Sequence, residues 1–315
     1  MTTDMSEVVV DRADVPVGAP PVAPRTRPMP AVVDLVEHPT HPGVLPARER
    51  PGGPWAPWSP CGAECLPARP RGGWLRAARR LCALAAVVSC FVLAGPFLPL
   101  LRPIGRDRLL RAVLRRTLRA AGVRLEVSGA ARSLRPGDGR GALVVANHLS
   151  WIDVLALGSV TPVRMLAKSE VEQWPVIGTL AARVGTLFVD REGLSRLPGV
   201  VDDAAAALRD GALIGVFPEA TTWCGAASGE FRRAPFQAAI DAGVPVRPVA
   251  VALRTADGRP TTAASFVGDQ TLGDSLLRVL RMPSVVCAVT VSPVIEPTGD
   301  RRALARRAQA AVRAV

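Results

Sequence analysis

Tyrosine is absent from this 315-residue sequence, and the aromatic residues together make up only 4% of it. An aromatic platform that stacks nucleic-acid bases is therefore not expected. Six cysteines are too few for a disulfide-stapled scaffold of this length. With 49% apolar and 21% charged residues, the composition also excludes a chain that is disordered throughout.

Several catalytic and binding motifs are missing as well. No Gly-x-Gly-x-x-Gly follows a candidate strand, and there is neither a phosphate-binding Walker loop nor a Gly-x-Ser-x-Gly elbow. Nucleotide binding and serine-hydrolase chemistry therefore have no motif support. The sequence also shows no internal repeat.

Positive charge is abundant but unevenly placed. The net charge is +12, and 38 of the 39 basic residues are arginines, with Lys168 as the exception. Residues 1–68 carry −3, residues 69–119 carry +11 and residues 120–315 carry +4. The basic window also contains the most apolar run of the chain. This distribution favours a membrane surface over nucleic acid as the partner.

Residues 1–73 hold 15 of the 30 prolines, which predicts an extended or disordered tail. The tail contains His38, His41, Cys61 and Cys65, which are residue types that bind zinc. Crowding by proline and the long gap between the two pairs weaken a zinc interpretation. We therefore predict no metal site and treat these residues as incidental or redox-sensitive.

Residues 74–121 are predicted to dock the protein on a membrane. The 21 residues from 81 to 101 carry no charge, and as one helix they would extend roughly 32 Å. Pro96 and Pro99 interrupt the second half, and both flanks are rich in arginine, so both ends favour the cytoplasmic side. A hairpin or shallow insertion fits better than a full crossing, and a buried soluble helix is the remaining alternative.

An amphipathic helix is predicted over residues 104–121. Its apolar residues recur near i, i+3 and i+4, and arginines fill most of the other positions. Such a helix can lie in the membrane interface with its apolar face in lipid and its arginines on anionic headgroups. Alternatively, it packs on the domain and leaves a solvated basic face.

From residue 122 to residue 315 the pattern is that of a single α/β domain, in which β-rich and helical runs alternate. The candidate strands are 123–128, 142–146, 163–167, 185–190, 212–217, 246–253 and 285–294. The candidate helices are 150–159, 175–184, 196–210, 234–242, 272–281 and 299–313.

His148 is the only histidine beyond the tail, and it lies between a predicted buried strand and a predicted helix. Asp153 is five residues further on. If the chain folds back, this carboxylate can accept a proton from one imidazole nitrogen and raise the basicity of the other, as in a general base. Asp153 also suits a capping box with Ser150 at the helix start, which would give it a purely structural role.

The segment "NHLSWID" at 147–153 resembles the Asn-His-x4-Asp signature of the lysophospholipid (1-acylglycerol-3-phosphate) acyltransferase family. Three more segments resemble further blocks of that family in the same order: "GTLFVDRE" at 185–192, "FPEATT" at 217–222 and "GVPVRPVAV" at 243–251. The segment 166–178 resembles the stretch between the first two blocks. The resemblance extends over about residues 123–255.

This resemblance implies an αβα domain with a mixed sheet, and an enzyme that transfers an acyl group from acyl-CoA or acyl carrier protein to the free hydroxyl of a lysophospholipid. It implies no cofactor. His148 would be the general base, and Asp153 would orient it. The residues that would bind substrate or shape its site are Asn147, Arg191, Phe217, Pro218, Glu219, Thr221 and Arg233, with Arg191 as the leading phosphate ligand and Glu219 in a supporting role. Cys224 is expected to be a small buried side chain and not a nucleophile.

The third block departs from the family pattern. Ala220 stands where the family usually has glycine, and Thr222 and Trp223 stand where it often has arginine and serine. The expected acceptor is lysophosphatidic acid, and the altered block keeps another lyso-lipid, such as a lyso-ornithine lipid or a glycolipid, as an alternative. A non-catalytic protein of the membrane surface is the alternative of another class. The expected location is the cytoplasmic face of the cell membrane.

Overall fold

A computed structural model describes residues 57–68, 72–174, 177–183, 185–189 and 197–315. Within these residues seven strands form one sheet in the order β1-β7-β6-β2-β5-β3-β4. All neighbouring strands are parallel except β6 and β7, so the sheet is mixed, as predicted. The strands are β1 Val123–Gly129, β2 Ala142–Ala146, β3 Arg164–Lys168, β4 Leu187–Val189, β5 Leu213–Val216, β6 Val246–Arg254 and β7 Val285–Val291.

Helices cover both faces of this sheet and confirm the αβα architecture. One apolar core joins the sheet to α2, α3 and α7, and a second core joins the other face to α5, α6 and α8. The helices are α1 Trp74–Ala94, α2 Pro103–Ala121, α3 Trp151–Val160, α4 Ile177–Arg183, α5 Leu197–Arg209, α6 Ala234–Ala242, α7 Leu272–Arg281 and α8 Arg301–Arg313.

The central strand β2 shows why the sequence pattern predicted the fold well. All five residues of Ala142–Ala146 are buried, because β2 lies between two parallel neighbours and is covered on both faces. The edge strand β1 instead has only Val123 fully buried. All the predicted strands and helices are present, and the differences are confined to their ends. For example, β4 begins at Leu187 because Gly185 occupies the left-handed region at φ +78° in the preceding turn.

The first two helices form a hairpin joined by a 3-10 turn at Gly95–Leu100. Within the described residues, α1 is the one helix that is long and apolar enough to cross a membrane, and only 6% of its most apolar window is buried. Large apolar side chains are exposed along α1 and the turn, including Leu75, Leu93, Phe97 and Leu100. This exposed apolar surface indicates association with a membrane.

The second half of α2 packs on the domain and does not offer its apolar face to lipid, as the insertion of the whole helix would require. Leu118 and Ala121 are buried in the core of the domain, and α2 packs along α3. Leu114 lies against Gly158, where the Cβ of any larger residue would come within 2.7 Å of the leucine side chain. The second half of the apolar stripe of α2 therefore completes the core, whereas Ile104 at the start of α2 is 66% exposed and continues the exposed apolar surface of α1 and the turn.

Part of the basic window also serves the fold. Arg80 donates hydrogen bonds to the carbonyl oxygens of Leu280 (3.0 Å) and Met282 (2.7 Å), at the carboxyl end of α7. Its guanidinium passes directly under Gly122, where any side chain would collide with it. Arg115 donates to the carbonyl oxygen of Ser159 at the end of α3. These arginines satisfy helix-end carbonyl groups that have no intrahelical partner.

Residues 57–68, which belong to the segment predicted to be extended or disordered, are packed on the domain. Residues 57–68 include a 3-10 turn at Ala63–Cys65, and Cys61 and Cys65 are buried against the domain. Proline predicts a lack of regular structure, but it does not prevent a short segment from packing. Residues 1–56 and 69–71, including His38 and His41, lie outside the described residues.

Candidate active site

Three of the four sequence blocks meet at one edge of the sheet. The strands β6, β2 and β5 are parallel neighbours, so their carboxyl ends lie side by side. The loop after β2 carries His148, the loop after β5 carries Phe217 and Glu219, and β6 carries Val251. Open α/β sheets bind ligands at this edge, because the loops that follow parallel strands converge there.

His148 and Asp153 are in direct contact. The imidazole Nδ1 lies 3.0 Å from Asp153 Oδ2, and the carboxylate is fully buried while the imidazole is 20% exposed. With Nδ1 on the carboxylate, the second ring nitrogen, Nε2, is the one left for chemistry. A buried carboxylate paired with a partly exposed imidazole is the arrangement that orients a general base.

The two roles considered for Asp153 turn out to be compatible. The same Oδ2 atom also accepts hydrogen bonds from the backbone N–H groups of Leu149 (2.5 Å) and Ser150 (2.8 Å). Asp153 thus satisfies free donors at the start of α3 and holds the imidazole at the same time. One carboxylate couples the start of the helix to the orientation of His148.

Phe217 and Asn147 hold the histidine loop from two other sides. The Phe217 ring stacks on the His148 ring with a centroid separation of 3.9 Å and an angle of 8°. The Asn147 side chain donates to the carbonyl oxygen of Val251 (2.9 Å) and accepts from its N–H (2.8 Å). Both polar atoms of the Asn147 amide group are therefore engaged with strand β6, which holds the start of the histidine loop against that strand.

Glu219 supports the same loop. One oxygen accepts the backbone N–H of His148 at 2.7 Å, and the other accepts that of Gly229 at 3.0 Å. The residue is 5% exposed. Because each oxygen already has a backbone donor, the carboxylate links the loop that contains His148 to the loop that contains Gly229. Burial raises the pKa of Glu219 to about 7, although the two N–H donors act in the opposite direction.

This raised pKa predicts a pH-dependent stability. In an unfolded chain Glu219 ionises near pH 4.5, so between that pH and about 7 the folded protein holds an extra proton. The free energy of unfolding should therefore fall as the pH rises through this window, by on the order of 3 kcal/mol from this group. Thermal unfolding of the wild type and Glu219→Gln between pH 4.5 and 8 tests this. Parallel profiles for the two proteins would contradict it.

Ala220 adopts the left-handed backbone conformation that favours glycine, the residue that the resemblance leads one to expect at this position. Its φ is +63°, and it is the one non-glycine residue with a positive φ among the described residues. For an L-residue with a Cβ this left-handed conformation costs roughly 1–2 kcal/mol. The strain lies immediately after Glu219, in the turn where the Ala220 N–H donates to the carbonyl oxygen of Phe217.

We therefore expect Ala220→Gly to stabilise the protein by up to about 1 kcal/mol, since glycine relieves the strain but loses more backbone entropy on folding. That corresponds to a rise of roughly 2–4 °C in the melting temperature. The matched control is Ala226→Gly, at an exposed position in the same loop without a positive φ, which should give no gain. Equal effects of the two substitutions would contradict a strain at Ala220.

The remaining predicted site residues occupy different environments. Pro218 is buried, and its carbonyl oxygen accepts the N–H of Arg232. Thr221 is half-buried in the loop after Ala220, and Arg233 is exposed at the start of α6. Arg191 lies outside the described residues.

Residues of the last helix also support the site, and sequence reasoning missed them. Gln309 and Arg313 both donate to the carbonyl oxygen of Gly229, at 3.1 and 3.0 Å, while Gln309 also accepts the N–H of Phe231. Gly229 is the residue whose N–H holds Glu219. No local pattern indicates this link, because about 80 residues separate the partners.

Comparisons with known proteins identify the family of this chain. Residues 124–252 match the family model described as Acyltransferase. The chain is 40% identical to the lyso-ornithine lipid O-acyltransferase of Pseudomonas aeruginosa over 66% of this chain and 78% of that protein. It is 35% identical to the 1-acyl-sn-glycerol-3-phosphate acyltransferase of Neisseria gonorrhoeae over 68% of this chain and 82% of that protein.

A solved structure shares the fold. The crystal structure of the 1-acyl-sn-glycerophosphate acyltransferase from Thermotoga maritima superposes with a TM-score of 0.55 at 18% identity, covering 76% of this chain and 95% of that one. The chain belongs to the acyltransferase family that includes the 1-acyl-sn-glycerol-3-phosphate and lyso-ornithine lipid acyltransferases.

Proposed function

We propose that this protein transfers an acyl group from a thioester to the free hydroxyl of a lysophospholipid, with His148 as the general base. The contact between His148 Nδ1 and the buried Asp153 carboxylate carries this proposal. It fixes the tautomer that leaves Nε2 unprotonated and able to accept a proton from an alcohol.

The reaction follows from this arrangement. As the acceptor oxygen attacks the thioester carbonyl carbon, its proton passes to His148 Nε2. The tetrahedral intermediate then expels the thiolate, which takes the proton from the imidazolium as the C–S bond breaks. Asp153 stabilises the transient positive charge on the ring. No acyl-enzyme forms, and no cofactor is required; the acyl donor is acyl-CoA or acyl carrier protein.

The acceptor headgroup would be held by basic residues. Arg191 is the proposed phosphate ligand, because a guanidinium pairs with two phosphate oxygens at once. Arg233 and Thr221 are secondary candidates. Glu219, Asn147 and Pro218 would act on the loops, and Phe217 would set the plane of the imidazole through its stacking contact.

Lysophosphatidic acid is the proposed acceptor, with phosphatidic acid as the product. A lyso-ornithine lipid is the second candidate, favoured by the strained Ala220 in the third block and by the 40% identity to an enzyme of that name. Its headgroup offers an ammonium and a carboxylate in place of phosphate. A substrate without phosphate would have less need of Arg191.

A panel of acceptors separates these candidates. The purified protein is mixed with acyl-CoA or acyl carrier protein and with lysophosphatidic acid, lyso-ornithine lipid or a lyso-glycolipid, and thiol release and lipid product are measured. Rapid acylation of lysophosphatidic acid that is lost in Arg191→Ala supports the first candidate. Acylation of lyso-ornithine lipid alone supports the second. Absence of thioester consumption with every acceptor would favour the non-catalytic alternative.

The membrane contact is proposed to be a hairpin inserted from the cytoplasmic face. Phe97 and Leu100 are 64% and 80% exposed in the turn between α1 and α2, beside exposed arginines such as Arg102 and Arg108. Apolar tips flanked by arginine suit a shallow insertion into anionic lipid. Flotation with anionic vesicles should weaken in Phe97→Glu and at high salt, and unchanged binding would contradict this placement.

A further inference from the structure

Three cysteines from distant parts of the chain converge beside the candidate active site. The sulfur atoms of Cys61, Cys65 and Cys224 all lie within 4.8 Å of one another. All three residues are buried, with exposures of 1%, 7% and 2%. None of them belongs to the His148–Asp153 contact, and neither the fold nor the proposed reaction explains why three thiols meet here.

The chain brings these sulfurs together by specific backbone contacts. Cys61 and Cys65 flank a single 3-10 turn, closed by a hydrogen bond from Cys65 N–H to the carbonyl oxygen of Gly62 (3.1 Å). The turn rests on Gly268, where the Cβ of any larger residue would lie only 3.2 Å from Gly62 Cα. Cys224 is fixed from the other side, because Ser265 Oγ donates to its carbonyl oxygen at 2.8 Å.

A backbone donor also reaches the sulfur cluster. The Cys224 N–H donates to Cys61 Sγ at 3.4 Å. Cysteines that serve only as small apolar side chains have no need of such donors. N–H groups directed at sulfur are instead the outer contacts that stabilise thiolates bound to a metal.

From this convergence we infer that Cys61, Cys65 and Cys224 form a metal site of three thiolates, with zinc as the metal. Soft thiolate ligands select zinc over magnesium or calcium, and the Cys-x3-Cys spacing of Cys61 and Cys65 falls within the range of zinc ligand pairs. A zinc–sulfur distance of about 2.3 Å places tetrahedral sulfurs roughly 3.8 Å apart. Because the sulfur atoms lie within 4.8 Å of one another, no pair needs to approach by more than about 1 Å to reach that spacing.

The site would attach residues 61–65, before α1, to the loop after β5 that contains Cys224. Trp223, next to Cys224, donates its backbone N–H to the carbonyl oxygen of His148 at 2.8 Å. The metal would therefore fix, through Cys224, the loop that follows β5 and contains Phe217 and Glu219. Three protein thiolates leave the fourth tetrahedral position to a water molecule or a further ligand. The role of the site would be structural, since none of the three thiolates is needed in the proposed acyl transfer.

Metal content of the full-length protein tests the inference directly. The protein is purified without a polyhistidine tag, dialysed, and analysed by mass spectrometry for bound metals. We expect about one zinc per chain, and loss of the metal in Cys61→Ser, Cys65→Ser and Cys224→Ser. The controls are Cys82→Ser and Cys90→Ser, on the exposed face of α1, which should keep the metal.

Stability gives a second readout that does not depend on the variants folding or on acyl transfer. A strong chelator should lower the melting temperature of the wild type, and added Zn²⁺ alone should restore it. Metal-free wild type with no chelator effect and no uptake of Zn²⁺ would overturn the inference. So would a disulfide between two of the three cysteines, found by alkylation and mass spectrometry, because it would mark the cluster as a redox pair.

Discussion

Replacement of His148 with alanine is expected to reduce acyl transfer roughly 10³-fold, because a positioned general base contributes about 10²–10⁴ to the rate. The variant cannot take the proton of the attacking hydroxyl, while the acceptor and the thioester still bind. The measurement is the initial rate of thiol release with a saturating acceptor. The loss should appear in kcat and leave KM nearly unchanged.

Two further variants distinguish the loss of a general base from a disturbance of the structure around it. His148→Gln retains a polar side chain but no basic nitrogen, so it should be as inactive as His148→Ala. Phe217→Leu removes the stacked ring and keeps the base, so its rate should fall far less. All variants should keep the melting temperature within a few degrees and remain in the membrane fraction. Full activity of either His148 variant would exclude the proposed mechanism.

Replacement of Glu219 with alanine should cost both stability and activity. Two buried backbone donors, the N–H groups of His148 and Gly229, would lose a charged acceptor. Each such loss costs about 1–3 kcal/mol, so the free energy of unfolding should fall by about 2–6 kcal/mol. Displacement of the His148 loop by about 1 Å would lower the rate on the order of 10²-fold.

A neighbouring acidic residue gives a matched control for Glu219→Ala. Glu230 is eleven residues further along, in the same connection between β5 and α6, and it is exposed. Glu230→Ala should leave the melting temperature and the rate unchanged. The two variants are compared at pH 8.5, where Glu219 is ionised in the wild type. An effect of Glu230→Ala equal to that of Glu219→Ala would mean that loss of negative charge, and not of the loop contacts, is responsible.

The periodicity of apolar residues predicted most of the fold, because the spacing of these residues within one strand or helix shows which of its faces is buried. The buried run at 142–146 and the helices at 234–242 and 272–281 appear with the predicted bounds. The apolar stripe of α2 shows the limit of that reasoning. A pattern shows which face of a helix avoids water, but the same face can be covered by lipid or by another helix, and here α3 and the core cover the second half of α2.

For the site, the sequence indicated His148 and Asp153 through their spacing around the start of a helix. The resemblance of the third block also drew attention to Glu219, although not to its two backbone donors. No local sequence pattern indicated Gln309 and Arg313, because they donate to the carbonyl oxygen of Gly229 from a helix about 80 residues away. Hydrogen bonds to backbone atoms depend on position and not on residue type, so sequence patterns do not reveal them.

The sequence alone indicates, through its few aromatic residues and its absence of tyrosine, that a protein that stacks nucleic-acid bases is not expected. Its arginine-rich window around an apolar run indicates that one segment is suited to a membrane. The alternation of apolar runs determined the α/β domain. Only the tertiary structure decided that Arg80 and Arg115 cap helices, that residues 57–68 pack on the domain, and that three cysteines meet. The reason is physical: solvation and periodicity are properties of local composition, whereas contacts between residues far apart in the chain exist only once the sheet and its helices have brought them together.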